Sequence, residues 1–212
     1  MRKKRTKDIL PLFLANNRIV IALRNFIFQG FMYMSWAERV YKIAFSLIIV
    51  TLLSNSLGIL VALFVAHFLN YLLNGQFFVL ARYLFSSTLM TRRKILKVVN
   101  LCDKLKRSFG ILDVLVTGSG SRNAMSGRSD LDLRVYHHSD FFSVVKALVY
   151  ANILRAYGTL IGCAVDVYSF NDPYFLEKLD ADEIPISLFH CIILKSMALR
   201  DLSYEKFDPV IK

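Results

Sequence analysis

One long stretch of the sequence lacks charge altogether, since no Asp, Glu, Lys or Arg lies between Lys42 and Arg82. A helix needs about 20 apolar residues to cross the hydrocarbon core of a bilayer, and this stretch is long enough to do so. In a chain of 212 residues a soluble domain is too small to enclose an apolar helix of that length. The missing charge therefore argues against an ordinary soluble protein and predicts a membrane segment.

The sequence also lacks the common cysteine and glycine signatures. Its three cysteines form no CxxC pair and leave an odd count, which argues against a disulfide framework and a zinc site. We expect a reducing, cytoplasmic setting for the second half of the chain. No GxxxxGK[ST] motif is present, and Gly118-x-Gly120 is followed by Asn123 where a dinucleotide-binding fingerprint has its third glycine.

Acidic residues are scarce in the first half of the chain. Up to Lys97 there are 14 basic and 2 acidic residues, and after it 13 basic and 14 acidic residues. The whole positive excess therefore belongs to the half that holds the apolar stretch, where it suits the cytoplasmic side of a membrane. Nucleic acid is not expected as a partner.

Turn-forming residues interrupt the apolar stretch at Ser54-Asn55-Ser56-Leu57-Gly58 and predict two helices, over 37–53 and 57–83. Basic residues flank both ends of the stretch, so we expect both ends on the cytoplasmic side and a hairpin between them. Because the first arm is short, a re-entrant hairpin is an alternative, and a single long tilted helix is the competing arrangement. Residues 19–34 are rich in aromatic side chains and predict an interfacial helix. Residues 1–90 thus form the predicted membrane-associated region.

The second predicted unit, residues 91–212, alternates helical and strand patterns. An amphipathic helix is expected over 92–109, with Gly110 at its end, and a helix over 141–157, capped by Ser139-Asp140 and closed by Gly158. Strands are expected over 114–117, 131–136 and 164–170, with a loop or short helix over 119–125. A further helical stretch begins at Asp172-Pro173, and 186–199 is apolar enough to pack on the sheet. The predicted fold class is α/β (α+β): a small mixed sheet with flanking helices, preceded by an all-α membrane hairpin.

Three acidic residues lie in or beside these predicted strands. Asp130 and Asp132 are separated by one residue, so their side chains emerge on the same face of an extended strand, roughly 7 Å apart. Asp166 lies inside a short β-branched run, and if its strand is adjacent the three carboxylates converge. A carboxylate flanked by Leu131 and Leu133 is costly to bury unless it is paired or bound to metal. The pattern predicts a site for a hard divalent cation such as Mg²⁺.

These residues resemble the DNA polymerase β type nucleotidyltransferase superfamily, especially its minimal nucleotidyltransferases. Such proteins commonly carry Gly-Ser-x-Ala-Arg-Gly, a short gap and then Ser-Asp-x-Asp, followed later by a single Asp on a strand. The chain departs from the pattern at Asn123, where the family usually has Gly, and at Ser121, where it often has Ala. The resemblance covers only the second half of the chain and rests on matching positions at Gly118, Ser119, Arg122, Ser129, Asp130 and Asp132.

The resemblance implies transfer of a nucleoside monophosphate from an NTP to an acceptor, with two Mg²⁺ ions held by Asp130, Asp132 and Asp166. Asp166 would hold the ion nearest the acceptor and help to take its proton. The nucleotide-binding residues implied are Gly118, Ser119, Arg122 and Ser129; glycine lets the backbone approach the phosphates closely, and Arg122 is either a phosphate ligand or simply exposed.

The resemblance leaves the acceptor open. Tethering suggests a membrane protein or a lipid-linked acceptor, because anchoring raises the local concentration. The expected partners are an NTP, membrane lipid and a second copy of the chain or another membrane protein, with the second unit on the cytoplasmic side. The alternative is a catalytically weak or inactive subunit that regulates or supports a membrane protein complex.

Overall fold

The computed structural model describes residues 17–28, 31, 34–73, 77, 90–179, 183–191 and 201–211. Its α-helices are α1 (Arg18–Phe28), α2 (Trp36–Leu57), α3 (Ile59–Leu73), α4 (Arg92–Phe109) and α5 (Phe141–Ile161). A 3-10 helix covers Pro173–Lys178, and the strands are β1 (Asp113–Thr117), β2 (Leu131–Tyr136), β3 (Val165–Phe170) and β4 (Ile186–Ser187). The protein is a mixed α and β fold, with a small mixed sheet, flanking helices and two apolar helices before them.

The apolar stretch forms two helices, α2 and α3, separated only by Gly58. The φ of Gly58 is 76°, in the region that favours glycine, so the break in the helix falls at this residue. Asn70 on α3 donates from its side-chain amide to the Ser46 hydroxyl oxygen on α2 at 2.5 Å, so α3 returns alongside α2. The break predicted in this stretch is confirmed; residues 74–76 and 78–83 of the predicted second arm lie outside the described part of the chain.

Apolar side chains cover the outside of this pair of helices. The exposed ones include Ile43, Leu47, Ile48, Leu52, Ile59, Leu60, Leu63 and Phe64. By length and composition α2 and α5 could each cross a membrane, but α5 contributes side chains such as Tyr150 and Leu154 to the core beside the sheet, whereas Glu38 and Lys42 are the buried residues of α2. Exposed apolar surface of this extent marks an interaction with lipid or another protein, so α2 and α3 suggest membrane association.

Helix α4 follows the predicted amphipathic pattern from end to end. Ile95, Val98 and Cys102 are fully buried, and their spacing of three and four residues places them on one helical face. The helix begins after Thr91, whose hydroxyl accepts from the Lys94 N–H, and ends at Gly110 in the left-handed conformation, with φ at 63°. The predicted bounds are confirmed.

The sheet has the strand order β3-β2-β1-β4. β1 is antiparallel to both β2 and β4, whereas β2 and β3 are parallel and are connected by α5. Alternate residues of β2 and β3, such as Leu133 and Val167, join α4 and α5 in the main core. The residues between them, including Asp132 and Asp166, belong to the opposite face of the sheet.

Some predicted elements differ from the structure. The first apolar helix, predicted to end at residue 53, continues through residues 54–56 to Leu57. Helix α5 passes through Gly158 and ends at Ile161, with Gly162 as its left-handed cap. A Cβ at position 158 would lie 2.6 Å from Val165 Cγ2, so glycine there permits close packing of helix on strand rather than ending the helix. The apolar run from Ile186 begins as the edge strand β4, because it pairs with β1; residues 192–200 lie outside the described part of the chain.

Candidate active site

Asp132 and Asp166 lie side by side on neighbouring strands. They are direct partners in the parallel register of β2 and β3, so both side chains project from the same face of the sheet. Asp130 immediately precedes Leu131, the first residue of β2, and is therefore outside the paired residues. Of the three predicted metal ligands, the strand register thus brings together Asp132 and Asp166.

Burial and nearby negative charge raise the pKa of both carboxylates. Burial, then the neighbouring charges of Asp130 and Asp166, raise the pKa of Asp132 well above its ordinary value. Burial also raises the pKa of Asp166, although the guanidinium of Arg134 opposes this shift. Two crowded acids with raised pKa values form a site where a cation would be stabilising.

Gly118 lies directly against this pair. A Cβ at position 118 would overlap the Asp132 Oδ2 atom, so the Asp132 side chain would have to move, and the φ of Gly118 is 67°. Glycine is therefore needed both for the backbone conformation and for the close approach to Asp132. This contact brings the loop after β1 next to the paired carboxylates.

The loop after β1 consists of turns rather than a helix. Asn123 has a φ of 52°, in the left-handed region that glycine favours and that asparagine tolerates. The nucleotidyltransferase pattern that the sequence resembles usually has glycine at this position. Asn123 replaces that glycine but keeps a backbone conformation that glycine readily adopts. The loop is closed by the Ala124 N–H, which donates to the Ser119 carbonyl oxygen at 2.9 Å.

Two hydroxyl groups beside Gly118 are buried without a hydrogen-bond partner among the described residues. They are Thr117 Oγ1, at the end of β1, and Ser119 Oγ. A buried hydroxyl without a partner is costly, so a ligand, an ion or an ordered water that hydrogen-bonds to it would be stabilising. Ser129, the other predicted nucleotide-binding serine, differs because its Oγ accepts from the Ser126 N–H at 2.9 Å and so stabilises the turn before β2.

Arg122 forms an ion pair with a residue that the sequence did not single out, Glu183. Arg122 Nη1 lies 3.4 Å from Glu183 Oε2, and Glu183 Oε1 accepts from the Gly118 N–H. Glu183 is buried and also contributes to the raised pKa of Asp132. No local pattern could reveal this residue, because it lies 65 positions from Gly118 and reaches the site through the pairing of β4 with β1.

Arg134 is a second site residue absent from the predictions. Its guanidinium carbon lies 4.6 Å from the centroid of the Tyr168 ring and 5.7 Å from that of Phe175. The electron-rich faces of these rings stabilise the positive charge of Arg134. The alternation that relates Asp130 to Asp132 continues to position 134, so the sequence does contain a signal for this arginine. Its positive charge opposes the rise in the pKa of both paired carboxylates, because it favours their charged forms.

Within the described ranges, no group of three or more His, Cys, Asp or Glu side chains is arranged to hold a metal ion. The chemistry of the paired acids nevertheless fits Mg²⁺, since Asp132 and Asp166 offer adjacent oxygen ligands whose repulsion a cation would relieve. Asp130 is the third predicted ligand and contributes to the charge felt by both.

Comparisons of the whole chain with protein families, with curated proteins and with solved structures find no match.

Proposed function

We propose that the protein is a membrane-associated nucleotidyltransferase of the DNA polymerase β type, which transfers a nucleoside monophosphate from an NTP to an acceptor. The observation that carries the proposal is the register pairing of Asp132 with Asp166, with Gly118 in contact with Asp132. Paired carboxylates next to a glycine loop with buried, unpartnered hydroxyls suit a metal-assisted reaction on a polyphosphate.

In the proposed reaction an acceptor oxygen attacks the α-phosphorus, the bond from that phosphorus to the bridging oxygen breaks, and pyrophosphate leaves. Mg²⁺ held by Asp130, Asp132 and Asp166 would neutralise phosphate charge and assist ionisation of the acceptor when bound. Asp166 also accepts the proton of the attacking hydroxyl, as the carboxylate nearest the acceptor in this proposal.

The phosphates are bound by the loop after β1. The Gly118 N–H and the Ser119 hydroxyl donate to phosphate oxygens, and Arg122 neutralises the β and γ phosphates. Ser129 supports the turn that leads into β2 and, in this proposal, contacts the nucleotide from that turn.

We propose further that the hairpin of α2 and α3 inserts in the membrane from the cytoplasmic side. Its exposed apolar side chains and the basic residues on either side of the uncharged stretch support this arrangement. An enzyme tethered in this way acts on acceptors at the membrane surface, either a membrane protein or a lipid-linked alcohol or sugar, because tethering raises their effective concentration.

A second candidate is a regulatory or scaffold subunit that does not transfer nucleotides. One observation favours it: Glu183 holds the Gly118 N–H and Arg122, the groups that would otherwise bind phosphate. In that case α2 and α3 would bind another membrane protein, and the sheet would serve only as a support.

Label transfer separates the two candidates. Purified protein is incubated with each α-labelled NTP, Mg²⁺ and native membranes, and labelled products are separated by size and by extraction into organic solvent. The enzyme is supported if the wild type transfers label and Asp132→Asn does not, whereas Asp103→Asn, at an exposed acid on α4, retains transfer. Absence of transfer, together with absence of an NTP-dependent thermal shift, supports the subunit instead.

A further inference from the structure

Glu183 is a buried acid held by two donors of the candidate site. Val116 on β1 pairs with Ile186 on β4 in an antiparallel register, so the residues before β4 run alongside the loop that follows β1. Glu183, three positions before Ile186, therefore reaches both the Gly118 N–H and the Arg122 guanidinium. The side chain of Glu183 is 7% exposed and that of Arg122 is 34% exposed, so a buried carboxylate meets a guanidinium that solvent partly reaches.

Its two partners are the kind that bind phosphate. A backbone N–H and a guanidinium both donate to anionic oxygens, and a guanidinium suits carboxylate and phosphate alike. Beside them the Ser119 hydroxyl has no hydrogen-bond partner among the described residues. The Glu183 carboxylate thus occupies two donors that a phosphate could use, and the hydroxyl of Ser119, the residue after Gly118, is a third donor that Glu183 does not occupy.

Glu183 also adds negative charge close to the acids of the site. Its negative charge acts on Asp132, which already faces Asp130 and Asp166. If a polyphosphate replaces the Glu183 carboxylate, its negative charge comes close to the same aspartates. Mg²⁺ that binds together with the polyphosphate supplies the positive charge that offsets this repulsion.

We propose that the Glu183 carboxylate is an internal competitor for the terminal phosphates of the NTP: polyphosphate binds to Gly118 and Arg122 only when Glu183 leaves them. The inference rests on the proposed function, since it takes the loop after β1 as the phosphate site. After transfer, return of Glu183 to the same donors displaces pyrophosphate. The residue therefore weakens substrate binding and speeds product release.

The test measures binding of tripolyphosphate with Mg²⁺ to the full-length protein in detergent micelles by isothermal titration calorimetry. Glu183→Gln removes the competing charge, and Glu183→Ala removes the whole competing group. Both variants are expected to bind tripolyphosphate with a Kd at least about tenfold lower than that of the wild type. Glu177→Gln, which changes an exposed acid on the 3-10 helix, is expected to bind as the wild type does. Equal or weaker affinity in both Glu183 variants overturns the proposal.

A measurement on the wild type does not depend on the folding of these variants. Carbodiimide-driven coupling of an amine to exposed carboxylates is followed by mass spectrometry, with fragmentation to assign residue 183. Modification of Glu183 is expected to rise when tripolyphosphate and Mg²⁺ are added, and unchanged modification at saturating tripolyphosphate contradicts the competition.

The two proposals fail in different ways. If the Glu183 variants bind tripolyphosphate more tightly but neither they nor the wild type transfer label from an NTP, the proposed transferase activity is wrong. The proposal that Glu183 competes with phosphate is then still supported. If the wild type transfers label and Glu183→Gln shows no lower KM for the NTP, the competition is wrong and the transferase stands.

Discussion

Arg155 on α5 and Glu38 on α2 form a buried ion pair between residues 117 positions apart in the chain. Arg155 Nη2 lies 3.1 Å from Glu38 Oε1, and neither side chain is more than 3% exposed. The same Nη2 donates to the carbonyl oxygen of Val167, the neighbour of Asp166 on the edge strand β3. The first apolar helix is therefore joined through one guanidinium to the strand that carries a candidate catalytic acid.

Removal of Glu38 is expected to destabilise the whole protein. Glu38→Ala leaves the Arg155 charge buried without its partner, a situation that typically costs about 3–5 kcal/mol. The free energy of unfolding is measured by chemical denaturation in detergent micelles, with circular dichroism as the readout.

The matched control is the exposed pair of Arg92 and Asp208, 2.7 Å apart, with side chains 61% and 60% exposed. Because solvent screens this pair, Asp208→Ala is expected to change the free energy by about 1 kcal/mol or less. Similar losses in the two variants would show that the buried pair contributes no more than a surface pair.

The parts of the site that the sequence could reveal are local. Asp130 and Asp132 are recognisable because strand periodicity relates residues two apart, and Gly118 because it ends an apolar run. The strand of Asp166 could be predicted from its own residues, but its parallel pairing with β2 depends on the connection through α5.

What the sequence could not reveal comes from distant pairing. Glu183 reaches Gly118 only because β4 adds to the edge of β1, and Glu38 reaches Arg155 only because α2 packs against α5. Gly158 is predicted to end a helix because glycine is common at helix ends. In the structure it lies within α5, because only glycine allows the helix to approach Val165 so closely.

Asp132→Asn is expected to raise thermal stability while it abolishes transfer. The substitution removes a charge that burial, Asp130 and Asp166 all disfavour. For a chain of this size each kcal/mol of relief raises Tm by about 2–4 °C, so a rise of a few degrees is expected. Because the folded state raises the pKa of Asp132, its protonated form is stabilising at low pH and this stabilisation is lost as pH rises. The difference in Tm between variant and wild type should therefore grow from acid to neutral pH.

Asp113→Asn is expected to lower thermal stability, whereas the same change at position 132 is expected to raise it. Asp113 is fully buried but accepts from the Ser187 hydroxyl at 2.6 Å and from backbone N–H groups that include those of Phe189 and Cys191. An amide cannot accept all of these bonds as well, so Asp113→Asn is expected to lose about 1–3 kcal/mol. A rise in Tm for both variants would mean that net charge, rather than the local environment, sets the effect.

Gly118→Ala is expected to abolish transfer because the new methyl group would collide with Asp132 Oδ2. Gly110→Ala is a matched control, since its φ of 63° is close to the 67° of Gly118 but no atom lies within 4 Å of the new Cβ. Both variants meet a left-handed penalty of about 1–2 kcal/mol, which thermal unfolding measures. Only Gly118→Ala adds the collision, so its Tm and its activity should fall below those of Gly110→Ala; equal losses would contradict the close approach.

Mg²⁺ is expected to raise the Tm of the wild type, and a chelator is expected to reverse the change. At a free concentration of 100 times Kd, a ligand that binds only the folded state adds about 2.7 kcal/mol of stability. The effect should strengthen with pH, because Asp132 and Asp166 must lose protons before they bind a cation and their pKa values are raised. Asp132→Asn and Asp166→Asn should lose the response and Asp103→Asn should keep it; a response retained in all three would locate the cation elsewhere.

Leu60→Arg tests whether α3 contacts lipid. Leu60 lies near the turn of the hairpin and is 79% exposed, and a matched leucine, Leu160 on α5, is 83% exposed. An arginine is unfavourable by about 2.5–3.5 kcal/mol at the centre of a membrane helix and by less toward the helix ends, whereas arginine on a solvated surface is tolerated. If the hairpin inserts in the bilayer, Leu60→Arg reduces the share of protein that remains with membranes after high-salt and carbonate washes, and Leu160→Arg leaves it unchanged. Equal retention of both variants would mean that Leu60 faces water or protein, because only a lipid environment distinguishes two leucines of nearly the same exposure.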